Sequence, residues 1–228
     1  MRVVVMGGTA GIGLETARAL RKDGAEVIVT GRNQERLAAA AAEGLTAEGV
    51  DGTDEAAVAA FFERIGAFEH LVLAFSSGQV GVGAIREIKL SDLRAAFEGK
   101  LFAYLFAVQR AQVTGSVTLV SAASARAGLP GLAGLAAVNG SIERIVSPLA
   151  ADLAPVRVNA VSPGVIDTDW WSFLPEEQRE AQFAAVAQSV PAGRVGRPED
   201  VAGAIRYVIG ADYVTGSILP VDGGFTVA

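Results

Sequence analysis

The chain has 228 residues, of which 51% are hydrophobic and 19% charged, which predicts a single folded α/β domain over residues 1–228 and excludes a disordered chain. It has no cysteine and one histidine, which excludes disulfides and cysteine- or histidine-rich metal sites, so no metal is expected. A net charge of −6 argues against nucleic acid as a partner, and no apolar run is long enough for a membrane span, so we expect a cytoplasmic protein.

Short apolar runs alternate with amphipathic stretches along the whole chain. The runs are nearly continuous and bounded by Gly, Ser or Asp, which is typical of parallel strands buried on both faces. In chain order, the predicted strands are residues 2–6, 26–30, 45–51, 71–74, 117–120, 157–161 and 217–221. The predicted helices are residues 13–23, 34–43, 54–62, 91–112, 134–153, 175–189 and 198–209. This alternation predicts a doubly wound, seven-stranded parallel sheet with helices on both faces, which binds ligands beyond the carboxyl ends of its strands.

A glycine-rich loop joins the first predicted strand to the first predicted helix. Its glycines allow a tight turn and let the backbone approach a pyrophosphate closely, and the start of the next helix adds free N–H donors. Such a loop could also be only a strand-to-helix turn, but its place after the first strand favours phosphate binding. The loop reads Gly7-Gly8-Thr9-Ala10-Gly11-Ile12-Gly13.

Four segments together resemble the short-chain dehydrogenase/reductase family. Residues 5–13 resemble its T-G-x-x-x-G-I-G loop, with Met6 in place of the usual Thr. Residues 157–168 resemble its R-V-N-x-V-x-P-G-x-I-x-T segment. Residues 193–202 and 215–224 resemble its G-R-x-G-x-P-E-(D/E)-(V/I)-A and T-G-x-x-x-x-V-D-G-G segments. The resemblance covers almost the whole chain and implies a Rossmann-like domain that binds NAD or NADP.

The end of the second strand indicates which nicotinamide cofactor to expect. NAD-binding folds have an acidic residue here that bonds the ribose 2′-hydroxyl, whereas this chain has Gly31 followed by Arg32. A guanidinium can hold the 2′-phosphate of NADP, which a carboxylate would repel. NADP(H) is therefore predicted over NAD, the alternative being that Arg32 is a solvated charge at a helix start.

The resemblance also implies the remaining cofactor contacts. Asp51 matches the family's adenine contact, or it caps the helix that follows. Thr168 and the backbone of Val165 and Ile166 match the group that holds the nicotinamide carboxamide. The full predicted cofactor site is Gly7, Thr9, Gly11, Ile12, Gly13, Arg32, Asn33, Asp51, Ala74, Phe75, Ser76, Asn139, Pro163, Gly164, Ile166 and Thr168.

The family's proton-transfer residues are missing from their usual positions. The family uses a Tyr acid/base, a Lys that lowers its pKa, a Ser that orients the carbonyl and an Asn that holds a water. An ungapped alignment places these four positions on Leu135, Asn139, Ala122 and Lys100. Because the side chains of Leu and Ala cannot donate or accept a proton, the family's mechanism cannot be transferred unchanged.

Asn and Lys are exchanged between two of these positions. If the helices pack as in the family, Lys100 and Asn139 should lie close together, and Lys100 could hold a water or act as an acid. Alternatively, Lys100 only neutralises a cavity or reaches solvent. Ser124 could bond a carbonyl oxygen, or be a turn residue. Lys100, Ser124 and Asn139 are therefore the predicted catalytic residues.

Three other polar side chains were considered for the site. Two of them have alternative roles, and the third is expected outside the cleft. Tyr104 lies one helical turn after Lys100 and is either a relocated acid or a core or interface residue. Arg126 is expected to pair with an acidic substrate or a neighbouring subunit. His70 is expected at the surface or just before a strand, outside the cleft.

The segment of residues 167–194 is the predicted substrate lid. Its aromatic residues suggest an apolar or ring-bearing small-molecule substrate, or they cover the core or a dimer contact. They are Trp170, Trp171, Phe173 and Phe183, with Leu174 beside them.

The sequence is compatible with two functions. The first is an NADP(H)-dependent reductase of a carbonyl or activated double bond with a non-standard proton donor. The second is a catalytically inactive NADP(H) sensor or scaffold subunit. In the family, the helices matching residues 91–112 and 134–153 form dimers and the last strand completes tetramers, so the resemblance implies a homodimer or homotetramer.

Overall fold

A seven-stranded parallel sheet forms the centre of the computed structural model, which describes residues 1–227. The strand order is β3-β2-β1-β4-β5-β6-β7, so the direction of winding reverses between β1 and β4, where such sheets bind ligands. This confirms the predicted fold class. The strands are β1 Arg2–Met6, β2 Glu26–Gly31, β3 Thr46–Gly49, β4 Phe68–Leu73, β5 Val113–Val120, β6 Arg157–Pro163 and β7 Ile218–Val221.

Helices connect the strands and cover both faces of the sheet. They are α1 Gly11–Lys22, α2 Gln34–Ala42, α3 Glu55–Ile65, α4 Leu90–Phe97, α5 Ala103–Arg110, α6 Ala133–Asp152, α7 Glu176–Ser189 and α8 Pro198–Gly210. The helix predicted for residues 91–112 is divided by a π-helical turn, Glu98–Phe102, that joins α4 to α5. The wider turn contains Lys100, which is buried.

The apolar runs are buried on both faces of the sheet. Successive residues of β1 alternate between two hydrophobic clusters, since side chains along a strand point to opposite faces. Val4 and Met6 join the cluster that contains α3, α5 and α6 residues, whereas Val3 and Val5 join the one that contains α1 and α8 residues. The near-continuous hydrophobicity that predicted parallel strands follows from this double burial.

Several predicted strand boundaries were wrong. β4 begins at Phe68 rather than at residue 71, and β5 begins at Val113 rather than at residue 117. His70 consequently lies within β4 and not before it, with Nδ1 2.8 Å from Ser116 Oγ. Polar residues at the strand starts interrupt the apolar pattern, which is why the pattern placed these starts too late.

Residues 1–227 contain neither a membrane-spanning helix nor a cluster of metal-binding side chains. No helix of this region has the length and apolar character that crossing a membrane requires. The same residues contain no group of three or more His, Cys, Asp or Glu side chains placed to hold a metal ion.

Candidate active site

A cavity of about 1000 Å³ lies at the carboxyl ends of the central strands. Every residue predicted to contact the cofactor lines it except Gly13, which packs against the Gly7 carbonyl from the first turn of α1. The three predicted catalytic residues, Lys100, Ser124 and Asn139, also line it. The cavity therefore brings the two predicted sites together.

The glycine loop leaves backbone donors free at one wall of this cavity. Gly7 has a φ of +80°, a conformation that favours glycine, and its N–H donates to the Thr30 carbonyl at 3.1 Å. A Cβ on Gly13 would collide with the Gly7 carbonyl, so loop and helix pack closely. α1 begins at Gly11 with neither a side-chain cap nor an acidic residue in its first turn. Its first N–H groups and positive dipole end can therefore receive an anion.

The end of β2 has no room for the acid that other folds place there. A Cβ on Gly31 would lie 2.5 Å from Thr9 Oγ1. The neighbouring Arg32 is exposed, and its Nη1 lies 3.7 Å from Asp51 Oδ2. This end of the cavity thus presents a guanidinium to a ligand, whereas a carboxylate at position 31 would displace Thr9.

Asp51 does not cap the next helix, so that alternative was wrong. Its Oδ1 accepts hydrogen bonds from the backbone N–H and the hydroxyl of Thr53. Asp54 caps α3 instead, by accepting from the N–H groups of Ala56 and Ala57. The two acids lie three residues apart, so composition alone could not choose between them.

Asn33 has a local role in addition to lining the cavity. Its Oδ1 accepts from the Arg36 N–H at 2.9 Å and so caps α2. The side chain of Arg36 also lines the cavity and was missed in the sequence. Its position in the first turn of the helix after β2, close to Arg32, was the clue available.

Lys100, Asn139 and Ser124 form a continuous hydrogen-bonded chain. Lys100 Nζ donates to Asn139 Oδ1 at 2.6 Å and to the Ser121 carbonyl at 3.4 Å. Asn139 Nδ2 donates in turn to Ser124 Oγ at 3.1 Å. The expected proximity of Lys100 and Asn139 is thus found. Lys100 is only 8% exposed, which rules out the alternative that it reaches solvent.

Burial changes the acidity of Lys100. Both of its hydrogen-bond acceptors are uncharged, so no carboxylate offsets the cost of removing the ammonium from water. Burial lowers the pKa of Lys100 to about 7. An amine in this range can both hold and release a proton near neutral pH, as a general acid must.

A partly buried carboxylate lies behind the site and bonds to residues that support it. Glu143 lies one helical turn after Asn139 in α6, and its Oε1 accepts from the hydroxyls of Ser121 at 3.0 Å and Ser162 at 2.7 Å. Its Oε2 lies 3.4 Å from Arg126 Nε. Arg126 thus forms an ion pair with Glu143 within the chain. Sequence reasoning missed Glu143, although its spacing from Asn139 could have indicated it.

Tyr104 is a core residue, so its alternative as a relocated acid was wrong. Its hydroxyl donates to the Phe75 carbonyl at 2.9 Å and lies 3.4 Å from the Val120 carbonyl. Burial raises the pKa of Tyr104 well above its ordinary value. Its ring packs edge-on against Phe75, with centroids 4.9 Å apart, and so fixes that wall of the cavity.

An aromatic cluster forms the outer wall of the cavity. Trp170 packs against Trp171 and Phe173, with centroids 4.7 and 5.3 Å away, and Phe183 of α7 packs against Trp171 at 5.8 Å. Trp171 Nε1 donates to the Ile166 carbonyl at 3.0 Å. Residues 170–173 line the cavity, so this part of the predicted lid faces the space where a ligand would lie.

The chain is similar to proteins of known family over nearly its full length. A family model described as Enoyl-(Acyl carrier protein) reductase matches residues 7–226. The chain is 31% identical over 236 residues to 3-oxoacyl-[acyl-carrier-protein] reductase MabA of Mycobacterium tuberculosis, covering 97% of this chain and 91% of that protein. It is 34% identical over 244 residues to cis-4-hydroxycyclohexanecarboxylate dehydrogenase of Sinomonas cyclohexanicum, with 98% and 95% coverage. A crystal structure of a small-chain dehydrogenase in complex with NADPH superposes with a TM-score of 0.88 at 32% identity, covering 100% of this chain and 99% of that one.

Proposed function

Because this chain belongs to the short-chain dehydrogenase/reductase family of oxidoreductases, as its motifs predicted, we propose that it is an NADP(H)-dependent reductase of a carbonyl group or activated double bond. The observation that carries the proposal is the hydrogen-bond network of Lys100, Asn139 and Ser124, which lines the proposed cofactor cavity. It supplies a proton-transfer group where the family's Tyr is missing.

The residues present fit a dinucleotide phosphate. The free N–H groups at the start of α1 would receive the pyrophosphate, and Arg32 would receive the 2′-phosphate. Thr168 and Ile166 also line the cavity, and they are the proposed contact for the nicotinamide carboxamide. When bound, the nicotinamide supplies hydride to the substrate.

Each residue of this hydrogen-bond network has a proposed role. Ser124 accepts a bond from Asn139, which leaves its own O–H free to donate to a substrate oxygen and orient it. Two N–H groups of the Lys100 ammonium bond to Asn139 and to the Ser121 carbonyl, and a third is left for proton donation. Lys100 is the proton donor, directly or through a water, and Asn139 is the positioning residue that links it to Ser124.

The substrate is proposed to be an apolar or ring-bearing small molecule. Trp170, Trp171 and Phe173 give the cavity an aromatic wall that such a molecule can pack against. The proposal includes a homodimer or homotetramer, because Phe102 is exposed in the turn between α4 and α5, the helices expected to dimerise.

The proposal is tested by titrating NADPH and NADH into the purified protein and following nicotinamide absorbance with a panel of ketones, aldehydes and enones. Oxidation of NADPH by any panel member supports a reductase. Tight NADPH binding without turnover across the panel would instead favour the sensor or scaffold. Failure to bind either cofactor would overturn the assignment of the glycine loop.

Arg32 is expected to determine the preference for NADPH. The Arg32→Ala variant should bind NADPH about 10- to 100-fold more weakly, because a charged hydrogen bond to the phosphate contributes about 1.5–3 kcal/mol, and NADH binding should change less than about twofold. Fluorescence titration measures both dissociation constants. Arg86→Ala is the matched control, since Arg86 is exposed and outside the cavity lining. Equal losses for both cofactors would contradict this role.

A further inference from the structure

An ion pair crosses the cavity mouth between α2 and the lid. Arg36 Nη2 lies 3.0 Å from Asp169 Oδ2, and the two residues are 133 positions apart in the chain. Both residues line the cavity. The pair therefore connects the expected 2′-phosphate end to the segment that covers the ligand.

The pair lies between two segments proposed to bind phosphate, the β2–α2 connection and the glycine loop. Arg36 follows Arg32 in the same β2–α2 connection, where Asn33 caps the helix by accepting from the Arg36 N–H. On the lid side, Asp169 follows Thr168, whose Cγ2 would lie 3.3 Å from a Cβ on Gly11. The first lid residues thus rest directly on the glycine loop.

The pair is easily displaced by a stronger anion. Its side chains are 47% and 70% exposed, and exposed ion pairs contribute little to stability because water screens them. A phosphate has more charge and more acceptor oxygens than a carboxylate, so it is the better partner for a guanidinium.

We infer that Asp169 competes with the 2′-phosphate for Arg36, so that a lid carboxylate limits the affinity for NADP(H) while Arg36 acts as a second phosphate ligand beside Arg32. This inference rests on the proposed cofactor, but it does not depend on the proposed redox reaction. It makes Asp169 a specificity-determining residue that disfavours the phosphorylated cofactor, although it lies far from Arg32 in sequence.

The test uses two ligands that differ only in the 2′-phosphate. Adenosine 2′,5′-bisphosphate and 5′-AMP are titrated by calorimetry into the full chain, its Asp169→Asn and Arg36→Met variants, and the double variant. Asp167→Asn is the matched control, because Asp167 is an exposed lid carboxylate outside the cavity lining.

Asp169→Asn should bind the bisphosphate about three- to fivefold more tightly, in line with the strength of an exposed ion pair, and leave 5′-AMP binding unchanged. Arg36→Met should weaken bisphosphate binding about tenfold, and in its presence Asp169→Asn should have no effect. The inference is overturned if Asp169→Asn does not tighten bisphosphate binding, tightens both ligands equally, or acts equally without Arg36. Equal binding of both ligands by the unsubstituted chain would overturn the proposed preference for NADP(H) together with this inference, whereas a preference for the bisphosphate that Asp169→Asn leaves unchanged would overturn this inference alone.

Discussion

Replacing Lys100 by methionine is expected to lower the rate of substrate reduction at least about 100-fold, which is the usual contribution of a general acid. Methionine is apolar and of similar length, so it fits the buried position without leaving a charge in it. NADPH binding should stay within about threefold, because the phosphate contacts lie elsewhere in the cavity. Steady-state rates and NADPH titrations on the same preparations measure the two effects separately.

The matched control is Lys89→Met, which removes an exposed lysine ahead of α4 and should leave the rate unchanged. Circular dichroism confirms that each variant folds. Ser124→Ala should also reduce the rate while raising the KM of a carbonyl substrate, since Ser124 is proposed to orient the carbonyl oxygen. Wild-type turnover in a folded Lys100→Met variant would show that another group donates the proton.

Replacing Gly13 by alanine is expected to lower the affinity for NADPH at least about 100-fold. The added Cβ would collide with the Gly7 carbonyl, so loop and helix must separate, and small displacements of positioned groups have effects of this size. The free energy of unfolding should fall by roughly 1–3 kcal/mol, as overpacking does elsewhere. Cofactor titration and thermal unfolding measure the two quantities.

Gly203→Ala provides a control that should change the free energy of unfolding in the opposite direction. Gly203 lies in α8, is exposed, and has no atom within 4 Å of the position of an added Cβ. Alanine there should raise the free energy of unfolding by about 0.5–1 kcal/mol and leave NADPH binding unchanged. If Gly13→Ala binds NADPH as tightly as Gly203→Ala, the glycine loop is not the phosphate site.

The sheet and the glycine loop could be predicted because local sequence determines both. Alternate residues of β1 pack into two hydrophobic clusters, and such double burial leaves a continuous apolar run in the sequence. The loop glycines occur where the backbone must turn tightly, as the positive φ of Gly7 shows. The starts of some strands were predicted wrongly, because partly buried polar residues such as His70 interrupt the apolar pattern there.

The contacts that complete the site depend on tertiary packing. A helical period of 3.6 residues cannot indicate the π-helical turn Glu98–Phe102, which contains Lys100. No local pattern relates Arg36 to Asp169, which meet only because α2 and the lid border one cavity. Tyr104 and Lys100 lie one helical turn apart in the sequence. Only the structure shows that the Tyr104 hydroxyl donates to backbone carbonyls of Phe75 and Val120.

The most direct test of the proton-donor assignment is the pH dependence of kcat for reduction, measured between about pH 6 and 9 with saturating NADPH and substrate. In the proposed mechanism the ammonium form of Lys100 donates the proton, and burial lowers the pKa of Lys100 to about 7 in the ligand-free chain. We therefore expect kcat to be constant at the acidic end and to fall about tenfold per pH unit above the pKa that Lys100 has with both ligands bound, with this break absent from the residual activity of Lys100→Met. A kcat that is independent of pH, or a break that persists in Lys100→Met, would contradict the account.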